Sequence, residues 1–194
     1  GIISPDTMDT VDEEPYSLFH IGSMDWMPNL EAVNWFLEEV WNKIHTEIPQ
    51  VRLYLAGRKM PESLLNANYP NVSIVGEVPD SMYFIESKKI NIVPLLSGSG
   101  IRVKIIEAMS VGKTVISTTI GAEGIDYTNE ENILIADTPD EFVKQIKRCV
   151  EDNEFCSQIG KNAYDLVATH YNNELLTKKL LEFYSKLLKK DGEI

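Results

Sequence analysis

The chain has 194 residues, 43% of them apolar, which is enough for one full hydrophobic core and a short appendage. Its formal net charge of −12 repels phosphate backbones and sets nucleic acid aside as a partner, while leaving room for a locally positive site that takes a small phosphate ligand. No apolar run approaches the roughly 20 residues of a membrane span, and Cys149 and Cys156 have neither the spacing nor the neighbours of a metal or redox motif, so they read as buried thiols in a reducing cytoplasm.

Residues 1–16 are acidic, contain proline and show no apolar period, and they read as a linker or arm. "SLFHIG" (17–22) is a short apolar run ending in glycine, the pattern of a buried strand. A helix opens at Pro28-Asn29. Its Leu30, Val33, Leu37, Val40, Trp41, Ile44 and Ile48 recur at helical spacing, and Pro49 closes it. Further strands are predicted at 51–57, 71–78, 90–96, 114–118 and 132–136, with a helix over about 102–111. Near-continuously apolar strands alternating with helices predict an α/β fold. The expected architecture is a Rossmann-like three-layer α/β/α domain around a parallel sheet of about six strands. In such sheets ligands bind at the carboxyl rim, where the strand order reverses.

Thr138-Pro139-Asp140-Glu141 matches a capping box with proline at the first helical position. A second helix is predicted over about 154–168. A last one follows Asn172-Asn173, with Leu176, Leu180, Phe183 and Leu187 on one face.

The stretch "SGSGIRVKIIEAMSVGKT" (97–114) offers two candidate phosphate motifs. A P-loop ending in Gly112-Lys113-Thr114 needs a glycine five residues before Gly112, but Glu107 stands there, inside a predicted helix. "GKT" therefore reads as a helix stop followed by a strand, with Lys113 at the surface. A dinucleotide fingerprint also fails, because Val103 occupies the place of the third glycine. "SGSG" survives: it follows a strand and opens a helix whose free N–H groups favour an anion. Arg102 and Lys104 add charge in the first turn, and Glu107 lies one turn deeper, where it could accept hydrogen bonds from ribose hydroxyls. The bland alternative is a tight turn beside a surface Lys104–Glu107 pair.

Residues 93–125, "VPLLSGSGIRVKIIEAMSVGKTVISTTIGAEGI", resemble the donor-site signature of the family 4 glycosyltransferases, which have the GT-B fold. "FHIGSMDWMPNLEAVNWFLEEVWNKI" is similar to the first strand and helix of their C-terminal domain, and the likeness extends over about 17–190. The resemblance implies transfer of a sugar from a nucleotide-sugar donor, a UDP- or GDP-sugar, with retention and without a cofactor or bound metal. It implies donor-binding roles for Gly22 and Ser23 after the first strand, for Gly76 and Val78 flanking the base, and for Gly100 and Ile101 near the diphosphate; Gly98 and Ser99, in the same glycine-rich turn, complete the donor-binding candidates. Glu107 matches the second acid of the family's Glu-x7-Glu motif, which contacts the ribose. The first acid falls on Ser99, and the usual Arg and Lys after the first strand are replaced by "GSMDWMPN". Arg102 and Lys104 are therefore the candidates for stabilising the leaving diphosphate, with Glu107 as the third catalytic candidate.

Arg58 could reach a phosphate or merely solvate its loop. Trp26 is expected to plug its loop against the core. The three histidines have no metal-ligand spacing.

The resemblance also implies an N-terminal, acceptor-binding domain that this chain does not contain. Residues 1–16 then become the interdomain linker, 17–170 the donor-binding domain, and 171–194 a helix packing towards the absent half, with apolar side chains from Leu175 to Leu188 left partly exposed. The acceptor is an unknown sugar, lipid-linked molecule or polysaccharide. The location is cytoplasmic, with any membrane contact made through the absent domain. Two alternatives stand beside this: a non-catalytic nucleotide-sugar-binding module, and a nucleotide-sugar epimerase of the same architecture. The epimerase would need acid–base carboxylates or a histidine at the cleft, which the sequence does not mark.

Overall fold

A computed structural model describes residues 11–100 and 102–171, together with Thr177 and Leu181. Six strands form one sheet: β1 (Ser17–Ile21), β2 (Arg52–Ala56), β3 (Val72–Gly76), β4 (Ile90–Val93), β5 (Thr114–Ser117) and β6 (Leu134–Ile135). All pairs are parallel, in the order β3-β2-β1-β4-β5-β6. This is the expected doubly wound Rossmann-like sheet. Its order reverses between β1 and β4, so the loops after these two strands open side by side.

Strand alternation divides the core in two. On one face Leu18, Leu53, Leu55, Ile90, Ile92 and Ile116 pack against Val33, Phe36, Val40, Trp41, Phe142 and Ile146. On the other, Phe19, Val93 and Val115 meet Phe84, Ile85, Ile105, Met109 and Ala163. Both faces are covered, which is why β1, β4 and β5 read as continuous apolar runs rather than as alternating ones.

The long helix predicted after Pro28 is present as α1 (Met27–Trp35) and α2 (Asn42–Glu47), joined without a break by a π-helical stretch at Phe36–Trp41. α5 (Val103–Ser110) begins at the predicted turn. α6 (Pro139–Glu151) carries the capping box in full: Thr138 Oγ1 accepts from the Glu141 N–H, and the Glu141 carboxylate accepts from the Thr138 N–H. α7 (Asn153–His170) follows. Two short helices were not anticipated, α3 (Glu62–Leu65) and α4 (Ser81–Glu86). The second is signalled by Asp80, whose Oδ1 accepts from the Tyr83 N–H at 3.0 Å. The expected last helix, and the apolar exposure foreseen between Leu175 and Leu188, lie outside the described residues apart from Thr177 and Leu181. Among the described residues no helix is long and apolar enough to cross a membrane.

The "GKT" sequence is a helix stop. Gly112 has φ +74, its N–H donates to Met109 O at 3.0 Å, and the Lys113 N–H donates to Ala108 O at 3.0 Å. These two bonds with a left-handed glycine make a Schellman cap, not a phosphate loop.

One expectation for this motif is corrected. Lys113 is buried, not superficial: its ammonium donates to Glu86 O at 2.8 Å and pairs with the Glu13 carboxylate. Burial leaves the ammonium stable only with such partners. Glu14 is tied down as well, accepting from Tyr54 Oη at 2.6 Å and Lys88 Nζ at 3.0 Å. The last residues of the acidic arm are thus strapped to the domain. Cys149 and Cys156 are free and buried, as expected.

Candidate functional site

A cavity of about 710 Å³ opens at the carboxyl rim, between the loops after β1 and β4. That volume suits a ligand larger than a single phosphate. Its position follows from the topology, since β1 and β4 are neighbours whose crossovers lead to opposite sides of the sheet.

One end is built for negative charge. Ser99, Gly100, Arg102, Val103 and Lys104 line it. α5 starts there, and its first backbone N–H groups have no intrahelical acceptor. Arg102 is 9% exposed although it carries a guanidinium. Its Nη1 donates to Ser99 O at 2.9 Å, while Nε and Nη2 are buried without a hydrogen-bond partner. Burial draws its pKa below the usual arginine value, and the charge of Glu123 opposes that shift.

The guanidinium carbon sits 5.0 Å from the ring centroid of Trp26. Trp26 does not plug the core, contrary to expectation. It is 36% exposed and lies across the β4–α5 loop. Gly98 makes room for it: φ is +102, and a Cβ there would stand 2.8 Å from the indole carbons Cζ2 and Cη2.

Lys104 lines the cavity and is engaged twice, by Ser81 Oγ at 3.2 Å and by Glu107 Oε2 at 2.8 Å. Glu107, half-buried one turn further along α5, does not itself line the cavity. Gly98 likewise reaches the site through its contact with Trp26. Ile101 falls outside the described residues.

The predicted residues from other loops converge on the same space. Gly22 and Ser23 line it beside Asn29, whose Nδ2 donates to Ser23 O at 3.0 Å. Ser23 Oγ donates to Asp25 Oδ1 at 2.6 Å. Arg58, exposed, and Val78 line the other side. Gly76 holds that side in place rather than lining it, its carbonyl accepting from the Gly57 N–H at 2.8 Å.

Sequence reading missed His20. It stands in β1, is 5% exposed and lines the cavity. Its Nδ1–H donates to the Ile92 carbonyl at 2.9 Å, so Nε2 is the unprotonated nitrogen, and Nε2 has no partner. Burial lowers its pKa against the smaller opposing effect of the Ile92 bond, which keeps it neutral. A histidine is therefore present at the cleft after all, and Glu77 is the one carboxylate in the described lining. A strand-embedded histidine carries no periodic or spacing signal. Only the register beside β4 reveals it.

Residues 15–152 match a family model described as glycosyl transferases group 1. The chain is 24% identical over 182 residues to an uncharacterized 44.6 kDa protein in the cps region of Klebsiella pneumoniae, covering 89% of this chain and 47% of that one. It spans about half the length of the curated relatives it matches. Among solved structures, HepE (Alr3699) of Anabaena in complex with UDP superimposes with a TM-score of 0.64 at 17% identity, over 89% of this chain and 49% of that one. The C-terminal domain of the group 1 glycosyl transferase LpcC from Francisella tularensis gives 0.62 at 17% identity, over 84% and 89%. These likenesses bear out the Rossmann-like fold.

Proposed function

Because the chain belongs to the glycosyl transferases group 1 family, we propose that it is the donor-binding half of a two-domain, retaining glycosyltransferase. In this reading it holds a UDP- or GDP-sugar, and the sugar passes to an unknown sugar, lipid-linked or polysaccharide acceptor bound by the other half. In this reading residues 1–16 are the interdomain linker and 17–170 the donor domain. The UDP held by the Anabaena neighbour supports a nucleotide ligand for this rim.

The observation that carries the reading is Arg102. A guanidinium held at a cavity wall with two unpartnered nitrogens, beside a helix N-terminus, is suited to an anionic ligand. During transfer the bond between the anomeric carbon and the distal phosphate oxygen breaks, and the electron pair stays on that oxygen. The acceptor hydroxyl oxygen bonds the same carbon, and its proton passes to the departing phosphate oxygen. Charge thus grows on the diphosphate, where Arg102, Lys104 and the α5 N-terminus stabilise it. Gly100 brings its backbone N–H to the diphosphate, and Gly22, Ser23 and Arg58 close its other side. Gly76 and Val78 flank the base. Glu107 takes the ribose hydroxyls once Lys104 turns from its carboxylate to the phosphate. With serine at position 99, no carboxylate at that position contacts the sugar.

Replacing Arg102 or Lys104 by alanine in the full-length enzyme is expected to lower turnover of a UDP- or GDP-sugar on the order of a hundredfold or more. Turnover unchanged in both variants would remove the leaving-group role. A wild type that binds donors without turning them over would favour the binding-module alternative.

A further inference from the structure

Arg102 raises a physical question of its own. A guanidinium withdrawn from water is normally compensated by a carboxylate, which fills its N–H fork. Among the described residues Arg102 has no carboxylate within 4.0 Å, and Glu123 acts on it only at longer range. What lies against it is the Trp26 ring, 5.0 Å away, within the range of cation–π attraction. A ring face attracts the charge without consuming a donor. That leaves Nε and Nη2 buried but unpaired, whereas a carboxylate partner would have to be displaced by any incoming anion.

The ring is itself located by the site. The left-handed Gly98 lets the β4–α5 loop approach the indole edge, and the same hypothetical Cβ would stand 3.2 Å from Pro28 Cγ at the start of α1. Two loops therefore meet at one aromatic side chain: the β1–α1 loop, which carries Trp26, and the β4–α5 loop, which brings both Gly98 and Arg102 against it. An indole 36% exposed at a rim is not explained by core burial.

We propose that Trp26 is a positioning residue for Arg102, holding the guanidinium at the cavity wall by its ring face so that the N–H donors stay free for the diphosphate of the donor. The inference rests on the donor-binding reading above and assigns Trp26 a part in it.

The test measures affinity for UDP and GDP by calorimetry, in the full-length protein, for wild type, Arg102→Ala, Trp26→Phe, Trp26→Leu and the Trp26→Leu/Arg102→Ala double variant. Melting curves establish that each is folded, with Trp26→Met as a second non-aromatic replacement should Trp26→Leu unfold. Trp26→Leu is expected to weaken binding on the order of tenfold, while Trp26→Phe recovers most of the loss, since a phenyl face also attracts a cation. The double variant should bind no more weakly than Arg102→Ala alone. The proposal is overturned if Trp26→Leu binds as wild type, if Trp26→Phe is no better than Trp26→Leu, or if the two losses multiply. Should Arg102→Ala bind as wild type, or wild type bind neither nucleotide, the donor-site reading falls and this inference with it. Arg102→Ala weakened with Trp26→Leu unaffected overturns the inference alone.

Discussion

His20 makes stability depend on pH in a window that few other groups touch. Its native pKa lies below the unfolded value of about 6.5 because burial penalises the imidazolium. As pH falls through 6.5 the unfolded chain takes up a proton that the native chain refuses, so stability is complete above that value and declines on acidification. Glu14 and Glu130 contribute in the same direction only at lower pH. For Glu14, burial raises the pKa, but the hydrogen bonds from Tyr54 and Lys88 outweigh it; for Glu130, the bond from Arg148 leads the lowering. Wild type is therefore expected to lose melting temperature between pH 7.5 and 5.5, and a His20→Leu variant to lose less over the same range. Parallel curves would show that the buried imidazole does not govern this window. Lys113 shows the opposite case at the same scale. It is a charge that stays buried because Glu13 and the Glu86 carbonyl meet it, and sequence cannot reveal that, since both partners are remote along the chain.

The end of α5 decides between two chemistries that share three letters. In a phosphate loop Gly112 would wrap a ligand, and any side chain there would disturb nucleotide binding. In the Schellman cap found here, its left-handed φ closes a helix whose other end faces the cavity. Gly112→Ala is then expected to cost about 1–2 kcal/mol of stability from backbone strain, because the space around a Cβ is open, its nearest neighbour being Gly160 O at 3.9 Å. Affinity for UDP or GDP should be unchanged. A loss of nucleotide affinity with stability intact would bring the phosphate-loop reading back. Most elements were legible for reasons of this local kind. Glycine and proline punctuation and the Thr138–Glu141 box are written within one or two turns of chain, and the apolar period from Leu30 to Ile48 repeats over one unbroken helical run. The short α3 and α4 were not, because a single turn has no apolar period to read.

At the level of the whole domain, the rim cavity is a product of strand order, and this explains which of its residues could be foreseen. Ser99, Gly100, Arg102 and Lys104 sit in one contiguous turn, so their shared chemistry is visible in the sequence. His20, Trp26 and Ser81 join them only because β1 lies beside β4 and the chain crosses the sheet between them. The same geometry gives a thermodynamic expectation. Loops after β1, β2, β3 and β4 all line the cavity, so a bound nucleotide ties together segments that otherwise meet only through the sheet. Ligand that binds the native state alone stabilises it by RT ln(1 + [L]/Kd), about 2.7 kcal/mol at a hundredfold excess over Kd. For a chain of this size that corresponds to a rise in melting temperature of roughly 5–10 °C. UDP or GDP should produce this shift in the wild type, and inorganic phosphate much less, since it engages only the Arg102 end. In Arg102→Ala the nucleotide shift should shrink towards the phosphate value. If neither nucleotide moves the melting temperature at saturating concentration, the rim cavity does not hold a nucleotide and the donor-site assignment fails as a whole. If phosphate alone reproduces the full nucleotide shift, the base and ribose make no contribution, and the roles given to Val78 and Glu107 fall while that of Arg102 stands.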